Sequence, residues 1–569
     1  MGTFPSWSFR ADRTAVRGFV GRRECIAGFL AGHSKTKKAR RLALRKLPRN
    51  ARLKKPVSDT NKRDAVTSLP TGALPPKLDE ALEVLRPWLD KNGDVIQRLF
   101  KVKGNPPIPA AALYIEGVID STEFNRDVLY PLMMHGLGAD NENQSDYLIN
   151  TILQTAVATG QITKAYHTDD VLHALFDGFV ILLFDHMAEA LVIDIRGGEM
   201  RSVQEPIVDK SISGPREGFV ENLVVNVALI RRKIRDPNLV VYRTTVGQRS
   251  RTDVAVLYIE DVADPAIVAE MKKRIDEINI DVDLSAGYIN QLIEDNPYTV
   301  FPLSRVVERT DIAAADLAEG RVVVISDQSP LVLIYPALFI EMFQTAEDYY
   351  EKAMVGSFWR PFRLLAFFLA VSLPSLYIAL LSFQPELIPL DLLISMARAR
   401  AMVPYPVVFE TIIQLTIIQF IIEAGLRLPN PLGQTIGVVS GIILGQAAIT
   451  AKLASPEVII IIAIATIATF CIPNYGMAMA ARIINIPLLI LSATFGLFGF
   501  SLGWLLIIAH LSGLTSAGVP YFAPFAPFRF SDLHDSIIRI FLWKFKNRPA
   551  SIPHQDQKRQ GDGQRGGAQ

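Results

Sequence analysis

The chain has 569 residues, of which 50% are hydrophobic, and a formal net charge of +2 at pH 7. This length exceeds one ordinary domain and predicts several parts. The two cysteines, Cys25 and Cys471, form neither a metal-binding pattern nor an evident disulfide framework.

A basic segment opens the chain. Residues 10–63 carry 18 Lys and Arg against three acidic residues. Such blocks are usually disordered and solvated, and attraction to an anionic membrane leaflet is the alternative. Nucleic-acid binding is disfavoured, because no recognisable fold or aromatic interleaving accompanies the basic run. The first thirty residues contain no continuous apolar stretch of a signal peptide, so we expect the soluble part to stay in the cytoplasm.

Residues 105–340 contain an internal repeat. The run 111–118 resembles 254–262, with Leu113 matching Leu257 at an offset of 144. Further matches, at an offset of 142, are Thr168-Asp169 with Thr310-Asp311, Gly178 with Gly320 and Asp185 with Asp327. Two separate matches at almost one offset indicate duplication. We predict two α/β subdomains at roughly 105–205 and 250–340, each with an apolar strand, a helix and a later hairpin.

A turn containing Gly214 and Pro215 separates the repeats. Residues 223–234 follow it, and their apolar spacing and terminal cations predict a helix. The simple interpretation is a well-capped connector helix. The functional alternative is an element that couples the subdomains to the membrane, with the candidate residues Arg216, Glu217, Glu221 and Asn222.

No catalytic motif stands out. The chain has no Walker A loop, no complete G-x-G-x-x-G, no H-E-x-x-H and no G-x-S-x-G. Asp281 and Asp283 could bind a cation, but two carboxylates in a polar turn are usually solvated. We therefore expect no enzymatic activity, no cofactor and no metal site.

Four long apolar runs follow the soluble region, at 364–383, 435–451, 456–472 and 486–511. Each is close to the roughly 20-residue helix that crosses a bilayer, and a helix satisfies its backbone groups without water. Small residues four apart predict close helix packing, within the chain or between subunits. These residues are Gly437, Gly441, Gly445, Gly499 and Gly503.

Residues 404–423 form a further apolar segment with two i,i+4 polar pairs, Glu410 with Gln414 and Gln419 with Glu423. The pairs point to nearly opposite sides of a regular helix. Ionisable groups at membrane depth normally face water or a polar partner, so the segment either lines a pore or lies as a surface helix. The candidate pore or polar intramembrane residues are Glu410, Gln414, Gln419, Glu423, Gln434 and Gln446. Glu410 is the favoured pore residue. Gln434 and Gln446 are expected to form interhelical hydrogen bonds.

Basic residues flank the spans. Arg360 and Arg363 precede the first span, and Lys544, Lys546 and Arg548 follow the last. Because positive charge favours the cytoplasmic side, both ends are predicted to be cytoplasmic, which requires an even number of crossings. Four spans satisfy this only if residues 404–423 do not cross.

Several motifs resemble one family over about 111–527. They are Gly214-Pro215-Arg216-Glu217-Gly218-Phe219 with Glu221-Asn222, the run 228–237, Val256-Leu257-Tyr258-Ile259-Glu260, Glu347-Asp348-Tyr349-Tyr350-Glu351, Pro385-Glu386-Leu387-Ile388-Pro389, Leu428-Pro429 with Pro431-Leu432-Gly433-Gln434-Thr435, Gly445-Gln446-Ala447 and Gly518-Val519-Pro520-Tyr521. In this order they resemble the A subunit of the GerA-type spore germinant receptors.

The resemblance implies a multi-pass protein of the spore inner membrane with a cytoplasmic N-terminal domain. It also implies a transporter-like B subunit and a lipoprotein C subunit as partners, and homo-oligomers that conduct cations when nutrients are sensed. SpoVAF-like proteins, which modulate germination, share these motifs and are the alternative. A basic tail to residue 63 departs from many members.

The expected fold class is an α+β/α membrane protein, with a duplicated α/β cytoplasmic domain followed by an α-helical transmembrane domain of four to six spans. The expected bounds are 1–63 for the tail, 64–210 and 251–345 for the subdomains, 211–250 for the connector, 346–515 for the membrane domain and 516–569 for a cytoplasmic C-terminal tail.

Overall fold

The computed structural model describes residues 70–560, except 71, 104–105, 135–161, 198–205, 207–208, 210–212, 428–440, 442 and 444. The predicted basic tail, Gln434 and Gly437 therefore lie outside the described residues.

Two five-stranded antiparallel sheets form the soluble part. Their strand orders are the same, β1-β2-β4-β5-β3 and β6-β7-β9-β10-β8. Leu113 and Leu257 both lie in the second strand of their sheet, as the internal repeat predicts. The strands are β1 Val95–Val102, β2 Ile108–Ile115, β3 Ile162–Ala165, β4 Val180–Phe184, β5 Ala190–Ile193, β6 Leu239–Val246, β7 Thr252–Ile259, β8 Arg305–Val307, β9 Val322–Ser326 and β10 Val332–Tyr335.

Helices cover both faces of each sheet, because successive strand residues point to opposite sides. In the second sheet Val256 packs toward one layer of helices, whereas Leu257 packs toward the other. The helices are α1 Leu78–Leu89, α2 Thr168–Phe176, α3 Leu223–Lys233, α4 Pro265–Asp276, α5 Ala286–Ile293 and α6 Thr310–Ala318. Shorter helical turns are Ser121–Glu123, Phe124–Leu129, Tyr130–Met134, Phe339–Phe343 and Glu347–Tyr350.

The repeat includes a helix before each sheet. Asp185 accepts a hydrogen bond from the Leu78 N–H (3.1 Å) at the start of α1, and Asp327 accepts one from the Leu223 N–H (2.9 Å) at the start of α3. A carboxylate at a helix N-terminus is favoured by the helix dipole. Both α3 and β6 fall in the range 211–250 that the sequence assigned to a connector, so the second repeat begins before residue 251.

A helical region follows the second sheet. Among the described residues, three helices are long and apolar enough to cross a membrane, within Ala353–Phe383, Val407–Gly425 and Tyr475–Gly513. The helices are α7 Ala353–Phe383, α8 Leu390–Arg400, α9 Val407–Arg427, α10 Pro456–Phe470 and α11 Tyr475–Gly513, with a short turn Pro385–Leu387. Residues 441, 443 and 445–450 are also helical.

The apparent helix α11 is a hairpin. Gly496 has φ +60° and ψ −140°, which is not helical. Leu491 and Gly499 would be about 12 Å apart along a straight helix, yet a Cβ on Gly499 would lie 2.0 Å from the Leu491 carbonyl oxygen. The chain therefore reverses at Gly496, and 475–495 runs antiparallel to 497–513. The prediction of a single span over 486–511 is wrong, because that run belongs to two helices.

The C-terminal segment packs on the second repeat rather than extending from it as a tail. Ala517, Val519, Ala523 and Ile552 lie in the core formed by the second sheet with α4 and α5. The amide of Gln555 donates to the Ala263 carbonyl oxygen at 2.7 Å. The segment contains β11 Thr515–Ser516, β12 Val519–Pro520 and the turns Phe530–Asp532, Leu533–Ser536 and Leu542–Lys544.

Candidate functional site

Two arginines at the base of α7 join it to the rest of the chain. Arg360, 1% exposed, donates to Asp348 Oδ2 at 3.2 Å and to Asp535 Oδ1 at 2.8 Å. Arg363 donates to both carboxylate oxygens of Asp348, at 2.8 and 2.9 Å. Burial favours a higher pKa for Asp348, but the hydrogen bond and charge of Arg363 and the charge of Arg360 outweigh it, and the pKa is lowered. The carboxylate therefore stays ionised and holds both arginines.

The turn Glu347–Tyr350 is the hub of this junction. Tyr349 donates from its hydroxyl to Asp535 Oδ2 at 3.0 Å, and Tyr350 donates to Asp311 of the second repeat. Asp311 also accepts two hydrogen bonds from Arg309, at 3.0 and 2.7 Å. This one turn thus contacts the second repeat, the C-terminal segment and α7.

A second charge cluster lies beside this hub, at a cavity of about 220 Å³. Arg321, 2% exposed, donates to both carboxylate oxygens of Glu341. Glu319 accepts a hydrogen bond from Arg559 of the C-terminal segment at 3.1 Å. Burial raises the pKa of Glu319 to about 7, although the charges of Arg321 and Arg559 oppose the shift. Glu319 is thus an acid that changes its charge near neutral pH inside the junction.

A buried ion pair joins the two repeats. Arg231 of α3 donates to both oxygens of Asp94, at 2.8 and 3.0 Å, and to Asn92 Oδ1 at 2.8 Å. The side chains of Arg231 and Asp94 are 1% and 0% exposed. Asn92 also accepts from the Val241 N–H at 3.2 Å, so the turn before β1 is bonded to β6 as well as to α3.

The predicted coupling residues, including Arg216, lie in the segment that leads into α3. Asn222 caps this helix by accepting from the Val225 N–H at 3.1 Å, and Glu217 pairs with Lys233 at 2.8 Å. The Glu221 carbonyl oxygen accepts from the Gln328 N–H at 2.6 Å. These bonds lie inside the second repeat, and a role of these residues in coupling the subdomains to the membrane stays a prediction.

The two carboxylates that the sequence treated as solvated differ from each other. Asp281 is exposed, whereas Asp283 is 1% exposed and accepts a hydrogen bond from the Ser326 hydroxyl at 3.4 Å. Burial raises the pKa of Asp283. The prediction is wrong for Asp283, because its side chain is buried against Ser326 at the end of β9. In the parts of the chain that the structure describes, no group of three or more His, Cys, Asp or Glu could hold a metal ion.

Glu410 is enclosed by protein. It is fully buried in α9, and its Oε1 accepts hydrogen bonds from the Ser455 N–H and from the Ser455 hydroxyl, the latter at 2.6 Å. Ser455 immediately precedes α10, so this carboxylate lies at a helix N-terminus. Gln414, one turn further along α9, is 8% exposed. Among the described residues of one chain, this pair is buried in helix contacts rather than open to solvent.

The other polar pair lies on the opposite side of α9, as the helical spacing predicts. Gln419 and Glu423 are exposed, and Glu423 pairs with Arg427 at 2.6 Å. Only 22% of the most apolar stretch of α9 is buried, against 56% for α7. Gln446, on the helix at 441–450, is also exposed.

The predicted glycine contacts divide into two groups. A Cβ on Gly503 would lie 2.4 Å from Leu488 Cδ1, so Gly499 and Gly503 allow the two halves of α11 to pack closely. A Cβ on Gly441 or Gly445 would meet nothing within 4 Å. The face that carries Gly441 and Gly445 is therefore uncovered within the described chain, and its packing against another subunit remains a prediction.

Sequence reasoning missed the ion pairs at the junction and between the repeats. Arg360 and Arg363 were assigned only to the cytoplasmic flank of a span, and Arg231 only to a helix C-terminus. A possible signal was the grouping of an acid and two tyrosines in 347–351, since acids and phenols suit arginine partners.

The fold and this junction define a two-part membrane protein, in which a duplicated soluble domain is joined to apolar helices by buried ion pairs. The sequence matches the Bacillus/Clostridium GerA spore germination protein family over residues 83–551. The chain therefore belongs to the GerA family, and the resemblance drawn from its motifs is confirmed.

Individual relatives agree with this assignment. Spore germination protein KA of Bacillus subtilis (strain 168) is 37% identical over 490 residues, which cover 86% of this chain and 89% of that protein. Stage V sporulation protein AF of the same strain is 31% identical over 449 residues, which cover 79% and 89%. The crystal structure of the N-terminal domain of the A subunit of the Bacillus megaterium spore germinant receptor GerK3 is 30% identical. The match covers 47% of this chain and 98% of the solved GerK3 chain, with a TM-score of 0.37.

Proposed function

We propose that this chain is the A subunit of a nutrient germinant receptor in the spore inner membrane, where copies assemble into a germinant-gated cation channel that starts germination. The main support for the proposal is that much of the helix surface, both apolar and polar, is not covered by other parts of the same chain. Gly441, Gly445 and Gln446 share a helix whose glycine positions have open space. Small residues at such positions allow helices of other copies to approach closely.

The crossings in this proposal follow from the hairpin in α11. Phe383, at the end of α7, lies against Gly496, whereas the other ends of both hairpin helices contact the soluble domain. In this arrangement three helices each cross the membrane once, namely α7, 475–495 and 497–513. A fourth helix, α9, crosses the membrane beside α7 and α10. The soluble domain and the C-terminal segment lie on one side, which we assign to the cytoplasm because Arg360 and Arg363 lie at that end of α7.

The cation path in this proposal runs between copies of the glycine-rich helix. Glu423 lies near the end of α9 that leads along the chain into that helix. Its pair with Arg427 is exposed and therefore weak, so the carboxylate can exchange this partner for a passing cation. Glu410 becomes a structural residue, since its Oε1 accepts two hydrogen bonds from Ser455 and its Oε2 lies 4.0 Å from Arg400 Nε. This moves the favoured pore residue from Glu410 to Glu423.

Gating would use the junction, because a ligand-dependent shift of the soluble domain moves the base of α7 through Asp348.

The partners are a transporter-like B subunit and a lipoprotein C subunit. The alternative is a SpoVAF-like accessory protein that modulates germination without forming the receptor, which the likeness to stage V sporulation protein AF keeps open. Adjacent permease-like and lipoprotein reading frames would identify a receptor.

Cation release from spores tests the path. Spores carrying Glu423→Gln should release cations several-fold more slowly after nutrient addition, because the side chain keeps its size and loses its charge. Glu410→Gln should release them normally, and so should the control Glu386→Gln, which alters an exposed acid beyond the far end of α7. Immunoblots check that all three proteins are equally abundant. Normal release from Glu423→Gln would move the path away from this residue, and slow release from Glu410→Gln alone would restore the first assignment.

A further inference from the structure

An arginine lies in a groove between apolar helices without an acidic partner. The groove, about 360 Å³ in volume, is formed by α9, α10 and 475–495. Arg482 is the one charged residue among those that line it. Its Nη1 lies 3.6 Å from the Met479 sulfur, and its guanidinium lies 5.5 Å from the centre of the Phe470 ring. In the described parts of the chain no carboxylate lies within 4.0 Å of this guanidinium, so its charge is not balanced inside the protein.

A buried acceptor lines the same groove. Asn485, 6% exposed, donates from its side-chain amide to the carbonyl oxygens of Ala370 (2.7 Å) and Val371 (3.2 Å). Its Oδ1 is buried and has no hydrogen-bond partner among the residues that the structure describes. A buried acceptor without a partner costs about 1–3 kcal/mol, so a ligand that donates a hydrogen bond here would be stabilised.

The groove opens on an apolar surface of the helices, which faces lipid in the proposed arrangement. Its rim carries exposed apolar side chains, among them Phe420, Ile486 and Ile490, which are 70%, 58% and 53% exposed. Arg482 lies three residues from Asn485, which is bonded to Ala370 in α7. Ala370 is about 10 Å along α7 from Arg363 at the cytoplasmic end. Arg482 is therefore within reach of the headgroup layer, where long basic side chains extend their charge.

We propose that this groove binds an anionic phospholipid of the inner leaflet. The phosphate would pair with Arg482, and an acyl chain would lie along the apolar rim. A headgroup hydroxyl would donate to Asn485 Oδ1 once the side chains that cover this atom move aside. Basic pockets between membrane helices on the cytoplasmic side suit such headgroups. A lipid here would fix α9 against 475–495, which matters because α9 is the least buried of the three long apolar helices.

Lipid binding to the full-length chain in a non-ionic detergent tests the proposal, with native mass spectrometry and the shift in thermal unfolding as readouts. The probes are dioleoylphosphatidylglycerol, dioleoylphosphatidylcholine and inorganic phosphate. The wild type should bind phosphatidylglycerol at least tenfold more tightly than phosphatidylcholine. Arg482→Gln should lose this preference, and Arg427→Gln, which removes an exposed arginine at the end of α9, should keep it. Inorganic phosphate should give no shift.

A second variant keeps the test decisive if Arg482→Gln does not fold. Ile486→Trp keeps the guanidinium but fills the apolar part of the groove, and it should also lower phosphatidylglycerol binding at least tenfold. An undiminished preference in both variants would overturn the proposal. A thermal shift with inorganic phosphate equal to that with phosphatidylglycerol would identify a plain anion site instead. A change in subunit association without any change in lipid preference would make the groove an interface between copies.

Discussion

At the residue scale, the described chain concentrates buried charge where its parts meet. Arg231 with Asp94 joins the two repeats, and Arg360 with Asp348 joins the soluble domain to α7. A buried pair adds little stability compared with apolar packing, but it is costly to break because one charge is then left without a partner. Such pairs therefore fix how the parts are oriented rather than only how strongly they adhere.

The inter-repeat pair gives the first prediction. Arg231→Met leaves Asp94 buried without its cation and should lower the free energy of unfolding by about 3–5 kcal/mol. Lys91→Met is the control, because it breaks the exposed pair with Glu260 and should cost no more than about 1 kcal/mol. Thermal unfolding of the detergent-solubilised chain measures both. Equal losses in the two variants would contradict a special role for the buried pair.

Glu319 gives a pH-dependent prediction. Its pKa in the folded chain is raised from 4.5 to about 7, so the folded state favours the protonated carboxyl. The contribution of this group to stability is fully present below pH 4.5 and is lost as the pH rises through about 7. At pH 8 the ionised group costs about 3 kcal/mol.

Glu319→Gln should therefore unfold at a higher temperature than the wild type at pH 8 and at nearly the same temperature at pH 5. Glu277→Gln, which changes an exposed acid, should show the same difference from the wild type at both pH values. Thermal unfolding scans at the two pH values provide the measurement. A difference for Glu319→Gln that does not depend on pH would refute the assignment.

At the scale of elements, the hairpin in α11 and the two-sided helix α9 decide which groups face protein. Gly496 makes the hairpin possible, because φ +60° with ψ −140° is open to glycine and strained for other residues. On α9 the buried face meets α10 at Ser455, whereas Gln419 and Glu423 are left exposed.

Replacing Gly496 tests the hairpin. In Gly496→Ala the new Cβ would lie 2.8 Å from Phe383 in a strained backbone, at a cost of about 1–3 kcal/mol from the strain alone. We expect less protein in the membrane fraction and a lower unfolding temperature. Gly513→Ala is the matched control, because a Cβ there meets nothing within 4 Å. If both variants behaved like the wild type, the chain would not reverse at Gly496.

At the scale of the whole molecule, the soluble domain and the helices share one core. Phe301 and Phe339 of the soluble part pack with Phe367 of α7 and Met477 of α11. Of the two turns between the second repeat and α7, the first packs in this same core, and Asp348 of the second turn is bonded to Arg363 of α7. The surfaces that remain open include those of α9 and of the helix at 441–450, together with apolar faces of α7, α10 and α11.

The open glycine face gives a prediction about assembly. Gly441→Leu should leave the fold of one chain intact, since a Cβ there meets nothing within 4 Å, but it should separate neighbouring copies. Crosslinking and native gel electrophoresis of the purified protein measure the oligomeric state. Gly513→Leu, which also enters open space, should assemble normally. Normal assembly of Gly441→Leu would place this face against lipid.

The sequence by itself determined the internal repeat, the strands and the apolar helices, because local periodicity carries these features. The matched positions Leu113 and Leu257 lie in equivalent strands, and the two polar pairs on 404–423 face opposite sides of one helix. Family membership also followed from motifs in their order along the chain.

Only the tertiary structure decided which groups meet. Arg231 and Asp94 are 137 residues apart, and Glu410 and Ser455 are 45 residues apart. Neither pairing leaves a periodic signal in the sequence. The reversal at Gly496 was hidden because one continuous apolar run describes a single span and two packed helices equally well. The physical reason is that hydrophobic burial depends on composition along the chain, whereas hydrogen bonds and ion pairs depend on the positions of particular atoms in space.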